Sequence, residues 1–160
     1  MNDLIMANEY NSKHGIVSKS PFELYMAFVD MRNFVNMLPE DKRSMVTADY
    51  DSISATVQGF NIGARVINRQ PYSRIDLEDN GAPLHFNVSL YFDAATEPGK
   101  TEFYIKLSAE LNFMMKMMIG SKIKEALDKI VDGLVAVSEG RMPEGVDPEM
   151  IEKLKKQQGL

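Results

Sequence analysis

Residues 84–93 read LHFNVSLYFD and residues 102–110 read EFYIKLSAE, and these two stretches decide the fold. In both, apolar and polar side chains alternate with a period of two, which is typical of a strand with one buried and one solvated face. A Glu97-Pro98-Gly99 turn separates them. Because such alternation favours antiparallel pairing, we predict that the two stretches are neighbouring strands of an antiparallel sheet.

The same period recurs upstream of this pair, which predicts about seven strands in all. The additional strands are predicted at 9–18, 44–49, 54–58, 62–67 and 75–77. Asp51-Ser52 is the expected turn of the first hairpin, and Asn80-Gly81 ends the strand around 75–77.

Two short helices are predicted between the first strand and the rest of the sheet. Ser20 followed by Pro21 and Glu23 is a helix N-terminal pattern, since serine caps, proline suits the first turn and glutamate complements the helix dipole. Residues 31–37 predict the second helix, which ends at Leu38-Pro39.

A long helix is predicted at the end of the domain. Asn112 is a favourable N-cap, and the helix extends to about Glu139, with Gly140 as the residue that terminates it. Its apolar stripe is predicted to consist of Ile119, Ile123, Ala126, Leu127, Ile130, Leu134 and Val137.

The chain of 160 residues fits a single domain, which we predict at residues 9–140. Residues 1–8 are expected to be a disordered or dispensable N-terminus. Residues 141–160 are expected to form a polar tail with one short helix at 148–157.

Composition excludes several classes of function. The formal net charge is −5 and no basic cluster occurs, which argues against a nucleic-acid-binding protein. The absence of cysteine excludes disulfides, thiolate metal sites and a cysteine nucleophile. We find neither a signal peptide nor an apolar stretch of the roughly 20 residues that a membrane span requires, so we predict a cytoplasmic protein.

The order of these elements resembles the START-like, polyketide-cyclase-type superfamily (SRPBCC), and in particular its uncharacterised bacterial members. The resemblance covers about residues 9–139. It is carried by GIVSKSP at 15–21, FELY at 22–25, LPEDK at 38–42, and AELN at 109–112 followed by Lys116. It implies an α+β helix-grip fold, in which a curved antiparallel sheet wraps the long C-terminal helix around a ligand cavity.

The functions implied by the resemblance range from lipid and polyketide binding to ring cyclisation and co-chaperone work. The chain departs from the cyclising enzymes because no cavity arginine is placed with an aspartate or histidine. It also lacks the glycine-rich phosphate loop of the plant members. We therefore assign no catalytic residue and favour a binding protein over an enzyme.

The two histidines receive different predictions. His85 lies on the polar face of its strand and is expected to point to solvent. His14 is predicted to share an inward face with Tyr10, Ser12 and Ile16, where it would bind a ligand or act as a base, or be a core histidine bonded to Tyr10 or Ser12. Two isolated histidines do not form a metal site, so no metal and no cofactor are predicted.

Lys116 falls within the apolar stripe of the long helix, at the mouth of the predicted cavity. Two interpretations remain open. Its ammonium group neutralises a carboxylate on a fatty or aromatic acid, or its stem lies on the groove while the ammonium reaches water.

Twelve methionines occur, and three of them, Met114, Met117 and Met118, lie near the start of the long helix but off its stripe. Methionine adapts to irregular surfaces. These three side chains are expected to form a cavity portal, to make a dimer contact, or to pack against the short helices through Phe34 and Met37.

We predict that the protein binds, and thereby transports or sequesters, a small hydrophobic or amphipathic molecule in an internal cavity. The predicted site consists of Tyr10, His14, Phe34, Val66, Ile75, Phe86, Val88, Phe103, Ile105, Met115, Lys116, Ile119 and Ile123. The alternatives are an interaction or co-chaperone-like module that uses the methionine-rich surface, also as a homodimer, and a cyclase-type enzyme with His14 as its base.

Overall fold

The computed structural model describes residues 5–36, 40–57, 59–81 and 84–140. The helices and strands in these ranges largely follow the sequence patterns. The strands are β1 (Ile5–Asn11), β2 (Gly15–Val17), β3 (Val46–Ala48), β4 (Ser52–Val57), β5 (Phe60–Gln70), β6 (Arg74–Asp79), β7 (Phe86–Ala94) and β8 (Thr101–Asn112). The helices are α1 (Pro21–Phe28), α2 (Arg32–Asn36), α3 (Glu40–Arg43) and α4 (Phe113–Ser138).

The alternating strands β7 and β8 lie next to each other in the sheet. Their register pairs Val88 with Leu107, Leu90 with Ile105, and Phe92 with Phe103. All strands pair antiparallel in the order β1-β8-β7-β6-β5-β4-β3, and β2 also pairs with β8. The predicted α+β architecture, an antiparallel sheet followed by a long helix, is confirmed.

The predicted first strand is two strands. β1 begins at Ile5, so residues 5–8, which were expected to be dispensable, are hydrogen-bonded to β8 along with the rest of the strand. β2 follows after a break at residues 12–14. The described sheet therefore has eight strands where the sequence predicted about seven.

The break between β1 and β2 reverses the alternation of side chains. Asn11 pairs with Lys106, whereas Gly15 pairs with Phe103. The chain therefore advances four residues from Asn11 to Gly15 while its partner on β8 advances only three. An extra residue of this kind turns the following side chains to the opposite face. The prediction that His14 points inward is therefore wrong.

The short helices begin and end close to their predicted positions. The Ser20 hydroxyl accepts a hydrogen bond from the Glu23 amide at 3.2 Å, and the Glu23 carboxylate accepts one from the Ser20 amide, which completes a capping box. α2 occupies most of the predicted 31–37 segment, and α3 was not predicted. Leu38-Pro39 and the predicted tail at 141–160 lie outside the described residues.

Both ends of α4 are confirmed. Asn112 Oδ1 accepts a hydrogen bond from the Met115 amide at 2.8 Å. The helix ends at Ser138, and Gly140 adopts a φ of 76°, the left-handed conformation that favours glycine after a helix. In the described part of the chain, no helix is both long and apolar enough to cross a membrane.

The buried face of α4 is rotated from the predicted stripe. Val131, which was not in the stripe, is fully buried, whereas Ile130 and Val137 are 40% and 50% exposed. The reason is that α4 packs mainly against β1, β2 and β8 at one edge of the sheet. Gly15 permits close approach, because Val131 and Val135 methyls lie 2.6 and 2.7 Å from where its Cβ would be.

One end of the inner sheet face is fully covered. The rings of Phe92 and Phe103 lie 5.5 Å apart, and Phe28 of α1 lies 6.1 and 6.0 Å from them. Val131 of α4 joins the same cluster. We call this region the packed end and define it by Phe28, Ile75, Leu90, Phe92, Phe103 and Ile105, all of which are buried.

Candidate ligand-binding groove

A row of inward-facing side chains crosses the sheet beside the packed end. Cross-strand pairing joins Tyr10 to Leu107, Leu107 to Val88, Val88 to Leu77, and Leu77 to Val66. Leu77 is buried, but the other four are only half-buried. The row of side chains next to the fully buried packed end is thus apolar and still partly exposed.

Half-buried apolar side chains continue beyond this row. Ala64 on β5 pairs with Ile53 on β4, which pairs with Ala48 on β3, and Phe86 lies farther along β7. All four are half-buried. We call this region the open end and define it by Tyr10, Ala48, Ile53, Ala64, Val66, Leu77, Phe86, Val88 and Leu107.

The first half of α4 forms a wall beside the open end. Met115, Ile119 and Ile123 recur every four residues on one flank of the helix, and all three are half-buried. Ile123 packs against the hydrophobic core cluster together with Tyr10. The helix and the sheet thereby form two sides of an apolar groove.

Gly120 is where α4 approaches the sheet most closely at the open end. A Cβ on Gly120 would lie 3.0 Å from Tyr10 Oη and 3.8 Å from Lys116 Cγ. The Tyr10 hydroxyl is buried and has no hydrogen-bond partner among the described residues. Three residues of β1 and α4 thus meet at one point, and one of them carries an unsatisfied polar group.

The predicted lining residues divide between the two ends of the sheet. Tyr10, Val66, Phe86 and Val88 belong to the open end, Met115, Ile119 and Ile123 are half-buried on α4, and Phe34 is half-buried beside Phe28. Ile75, Phe103 and Ile105 instead belong to the packed end, since they are buried among side chains of α1 and the sheet. Sequence reasoning missed Leu77, Leu107 and Gly120. For Leu107 the signal was available, because it alternates in phase with Ile105.

Both histidines lie outside the groove. The imidazole of His14 is 52% exposed, stacks on Tyr104 with ring centroids 4.0 Å apart, and lies 3.1 Å from Glu102. His85 points to solvent as predicted and lies 3.2 Å from Asp79. A cyclase-type reaction at the groove therefore has no histidine base among the described residues.

Tyr104 and Asp79 are two groups with shifted pKa values, one on the outer face of the sheet and one at the rim of the open end. Burial and a hydrogen bond to Asp93 raise the pKa of Tyr104, on the outer face, to about 12. Burial alone would raise the pKa of Asp79, but amide hydrogen bonds from Phe86 and Gly81 outweigh burial and lower it. At pH 7 the Tyr104 hydroxyl is therefore neutral and the Asp79 carboxyl is ionised.

A polar cleft of about 220 Å³ lies at the far rim of the open end. Ala48 and Ile53 of the open end contribute to it. The other residues that line it are Thr47, Asp49, Ser52, Ser54 and Asn80. Thr47 and Ser54 alternate with Ala48 and Ile53 along their strands, so their hydroxyl groups lie on the outer face of the sheet.

Four large apolar side chains at the start of α4 are strongly exposed. Phe113, Met114, Met117 and Met118 have exposed fractions between 64% and 71%. The expectation that Met114, Met117 and Met118 pack against the short helices is therefore wrong. Their helix packs mainly on the β1–β8 edge.

Solved structures with little sequence similarity share this architecture. Norcoclaurine synthase from Thalictrum flavum, in complex with dopamine and hydroxybenzaldehyde, superposes with a TM-score of 0.56 and 9% identity over 77% of this chain and 84% of its own. A Bacillus thuringiensis protein superposes at 0.55 and 9% identity, over 84% and 99% of the two chains. A Chromobacterium violaceum protein does so at 0.51 and 17% identity, over 82% and 98%. Neither a family model nor a curated protein sequence matches the chain.

The chain therefore has the helix-grip fold, as the resemblance to the START-like superfamily implied. At such low identities the likeness concerns the fold alone. The fold is compatible with ligand binding in general, and the use of this groove has to be argued from its own residues.

Proposed function

We propose that the protein binds a small hydrophobic or amphipathic molecule along the open end, between the sheet and the first half of α4. The observation that carries this proposal is the row from Tyr10 to Val66. Its side chains are as apolar as those of the packed end, yet four of the five are only half-buried.

Energetics support an occupant for this surface. Burying apolar area contributes about 25 cal/mol per Å², so a ligand that covers these side chains gains affinity without any special chemistry. Large exposed apolar patches are uncommon on monomeric proteins and often mark binding sites. The fold accommodates such molecules elsewhere, since norcoclaurine synthase has been solved with two small aromatic compounds.

The proposal concerns binding, with transport or sequestration as its uses. His14 was the only base suggested for a cyclase-type enzyme, and its outward position removes that support. The predicted cytoplasmic location remains a prediction.

The test is ligand capture by the purified protein. Native mass spectrometry is expected to detect a co-purified apolar molecule, and 1-anilinonaphthalene-8-sulfonate is expected to bind with increased fluorescence. Leu107→Trp fills the groove and should abolish binding of this probe. Ile67→Trp, on the exposed outer side of β5, is the matched control and should leave it unchanged.

Circular dichroism and urea unfolding show whether the variants fold. Val88→Phe is a milder enlargement at the neighbouring position and serves if Leu107→Trp lowers stability. Equal probe binding by wild type, Leu107→Trp and Val88→Phe would contradict the proposal, as would a probe signal that only Ile67→Trp alters.

A second candidate function is self-association through the start of α4. The observation that favours it is the exposure of Phe113, Met114, Met117 and Met118. A second copy that covers this patch would bury apolar area that is otherwise in water. Sedimentation velocity should then show a concentration-dependent dimer that Met117→Glu abolishes. A monomer at all concentrations would contradict this second candidate and leave the first intact.

A further inference from the structure

The Tyr10 hydroxyl is the one polar atom that the groove leaves unsatisfied among the described side chains. A buried hydroxyl without a partner is unfavourable relative to one that is hydrogen-bonded. The hydroxyl group points to the backbone of α4 at Gly120, where a side chain would be within 3.0 Å of it. Glycine at this position therefore leaves room for the hydroxyl against the helix.

The stem of an exposed lysine lies beside the same helical position. Lys116 precedes Gly120 by one helical turn, and its Cγ is 3.8 Å from the same Cβ position. Lys124 and Lys129 of α4 form ion pairs with Asp128 and Glu125. Lys116, by contrast, has no carboxylate partner in the described part of the chain. One unsatisfied donor and the stem of one unpaired lysine thus lie at the same turn of α4.

We propose that Tyr10 and Lys116 bind the head group of the ligand, and that this head group is a carboxylate. This inference rests on the proposed function, because the groove must hold the apolar part. A carboxylate oxygen accepts the hydrogen bond of the Tyr10 hydroxyl, and its charge is neutralised by the Lys116 ammonium. A single lysine and a single hydroxyl match one negative charge.

The position of this pair also orients the ligand. Tyr10 stands at one end of the row that continues through Leu107, Val88 and Leu77 to Val66. Neighbouring strands are about 4.8 Å apart, so the row spans about 19 Å across the sheet. The ligand is a linear or flat carboxylic acid whose head lies at β1 and whose apolar body extends toward β5.

The experiment compares dodecanoate with its methyl ester and with dodecylammonium by isothermal titration calorimetry at low ionic strength. Wild type should bind dodecanoate about tenfold more tightly than the uncharged ester, and dodecylammonium most weakly. Lys116→Met should abolish the preference for the acid while the ester binds as before. Lys122→Met removes a second exposed lysine of the same helix, away from Gly120 and Tyr10; it is the control and should retain the preference.

Tyr10→Phe separates the hydroxyl from the charge. It should weaken dodecanoate binding about three- to tenfold, with little effect on the ester and no loss of stability. Added salt should weaken acid binding to wild type more than to Lys116→Met, since screening acts on the charge.

The two proposals fail in distinguishable ways. Acid and ester affinities that are equal in wild type, Tyr10→Phe and Lys116→Met would overturn the carboxylate inference and leave apolar binding in place. Such a result would mean that a water molecule satisfies Tyr10. Binding of none of the three compounds would overturn both proposals.

Discussion

The packed end and the open end are two regions of the same sheet face with the same alternating sequence and different surroundings. At the packed end Ile105 pairs with Leu90, and α1 covers both strands. Two residues along each strand, Leu107 pairs with Val88, and both remain half-buried. The difference teaches that alternation determines which side chains face inward, whereas the placement of the helices determines which of them become core.

The position of α4 explains this difference. Its second half lies against β2, where Gly15 lets Val131 and Val135 approach the backbone. Its first half lies over β1 near Tyr10 and presents Met115, Ile119 and Ile123 at the side of the groove. A helix that packs on one edge of a curved sheet therefore buries Ala109 and Leu111 of β8 and leaves the row from Leu107 to Val66 only partly covered.

The largest expected effect comes from removing one ring at each end. Phe103→Ala, at a fully buried position, should lower the free energy of unfolding by about 3–5 kcal/mol, because it leaves a cavity between Phe28 and Phe92. Phe86→Ala, at the half-buried open end, should lower it by about 1–2 kcal/mol. Urea unfolding measures both, and equal losses would break the distinction between the ends.

A second comparison uses two arginines of β5. Arg69 donates hydrogen bonds to the carbonyls of Val29 and Tyr50 and to Asp51 at 2.7–3.1 Å, which ties α1 to the β3–β4 turn. Arg69→Met should cost about 2–3 kcal/mol in the free energy of unfolding, since these carbonyls lose their partner.

The control for this comparison is Arg65→Met. Arg65 is exposed and pairs with Glu78 on the outer face, so its removal should change the free energy of unfolding by less than about 1 kcal/mol. A loss at Arg65 as large as that at Arg69 would contradict the greater weight given to the half-buried guanidinium of Arg69.

Adding one methyl group to a glycine at each end gives a third test. Gly15→Ala places a Cβ against Val131 and Val135 and should cost about 1–3 kcal/mol through overpacking. Gly120→Ala should be nearly neutral for stability, because a gain in helix propensity of about 1 kcal/mol offsets its contact with Tyr10. Thermal unfolding distinguishes them, and the reverse order would contradict the account.

The smallest expected effects are pH-dependent and occur in opposite ranges. The pKa of Tyr104 is raised to about 12, so its contribution to stability is complete below about pH 10 and is lost as pH rises toward 12. The pKa of Asp79, at the rim of the open end, is lowered, so its contribution is present above its ordinary pKa of 3.8 and is lost as pH falls through the lowered value.

Urea midpoints measured across pH check both signs. Tyr104→Phe should remove part of the alkaline loss, and Asp79→Asn should remove part of the acid loss. Loss of alkaline sensitivity in Asp79→Asn, or of acid sensitivity in Tyr104→Phe, would contradict these assignments.

Much of the fold could be predicted from the sequence, because the strands alternate cleanly and the helix caps are explicit at Ser20 and Asn112. The break at residues 12–14 could not be predicted. One extra residue there turns His14 to the outer face, and nothing in the local composition signals it. The groove was only partly predictable. The buried face of α4 is determined by its contact with the β1–β8 edge. The sequence of the helix alone does not show that Val131 is buried there while Ile130 is exposed.

The most direct test of the account is a methyl NMR titration with dodecanoate on protein labelled at isoleucine, leucine and valine. Shift changes should be largest for Val66, Leu77, Val88, Leu107 and Ile123, and small for Ile75, Leu90 and Ile105, although both sets lie on one sheet face. Changes centred on Ile75, Leu90 and Ile105, or on the outer residues Ile16 and Ile67, would contradict the claim that the open end is the binding site.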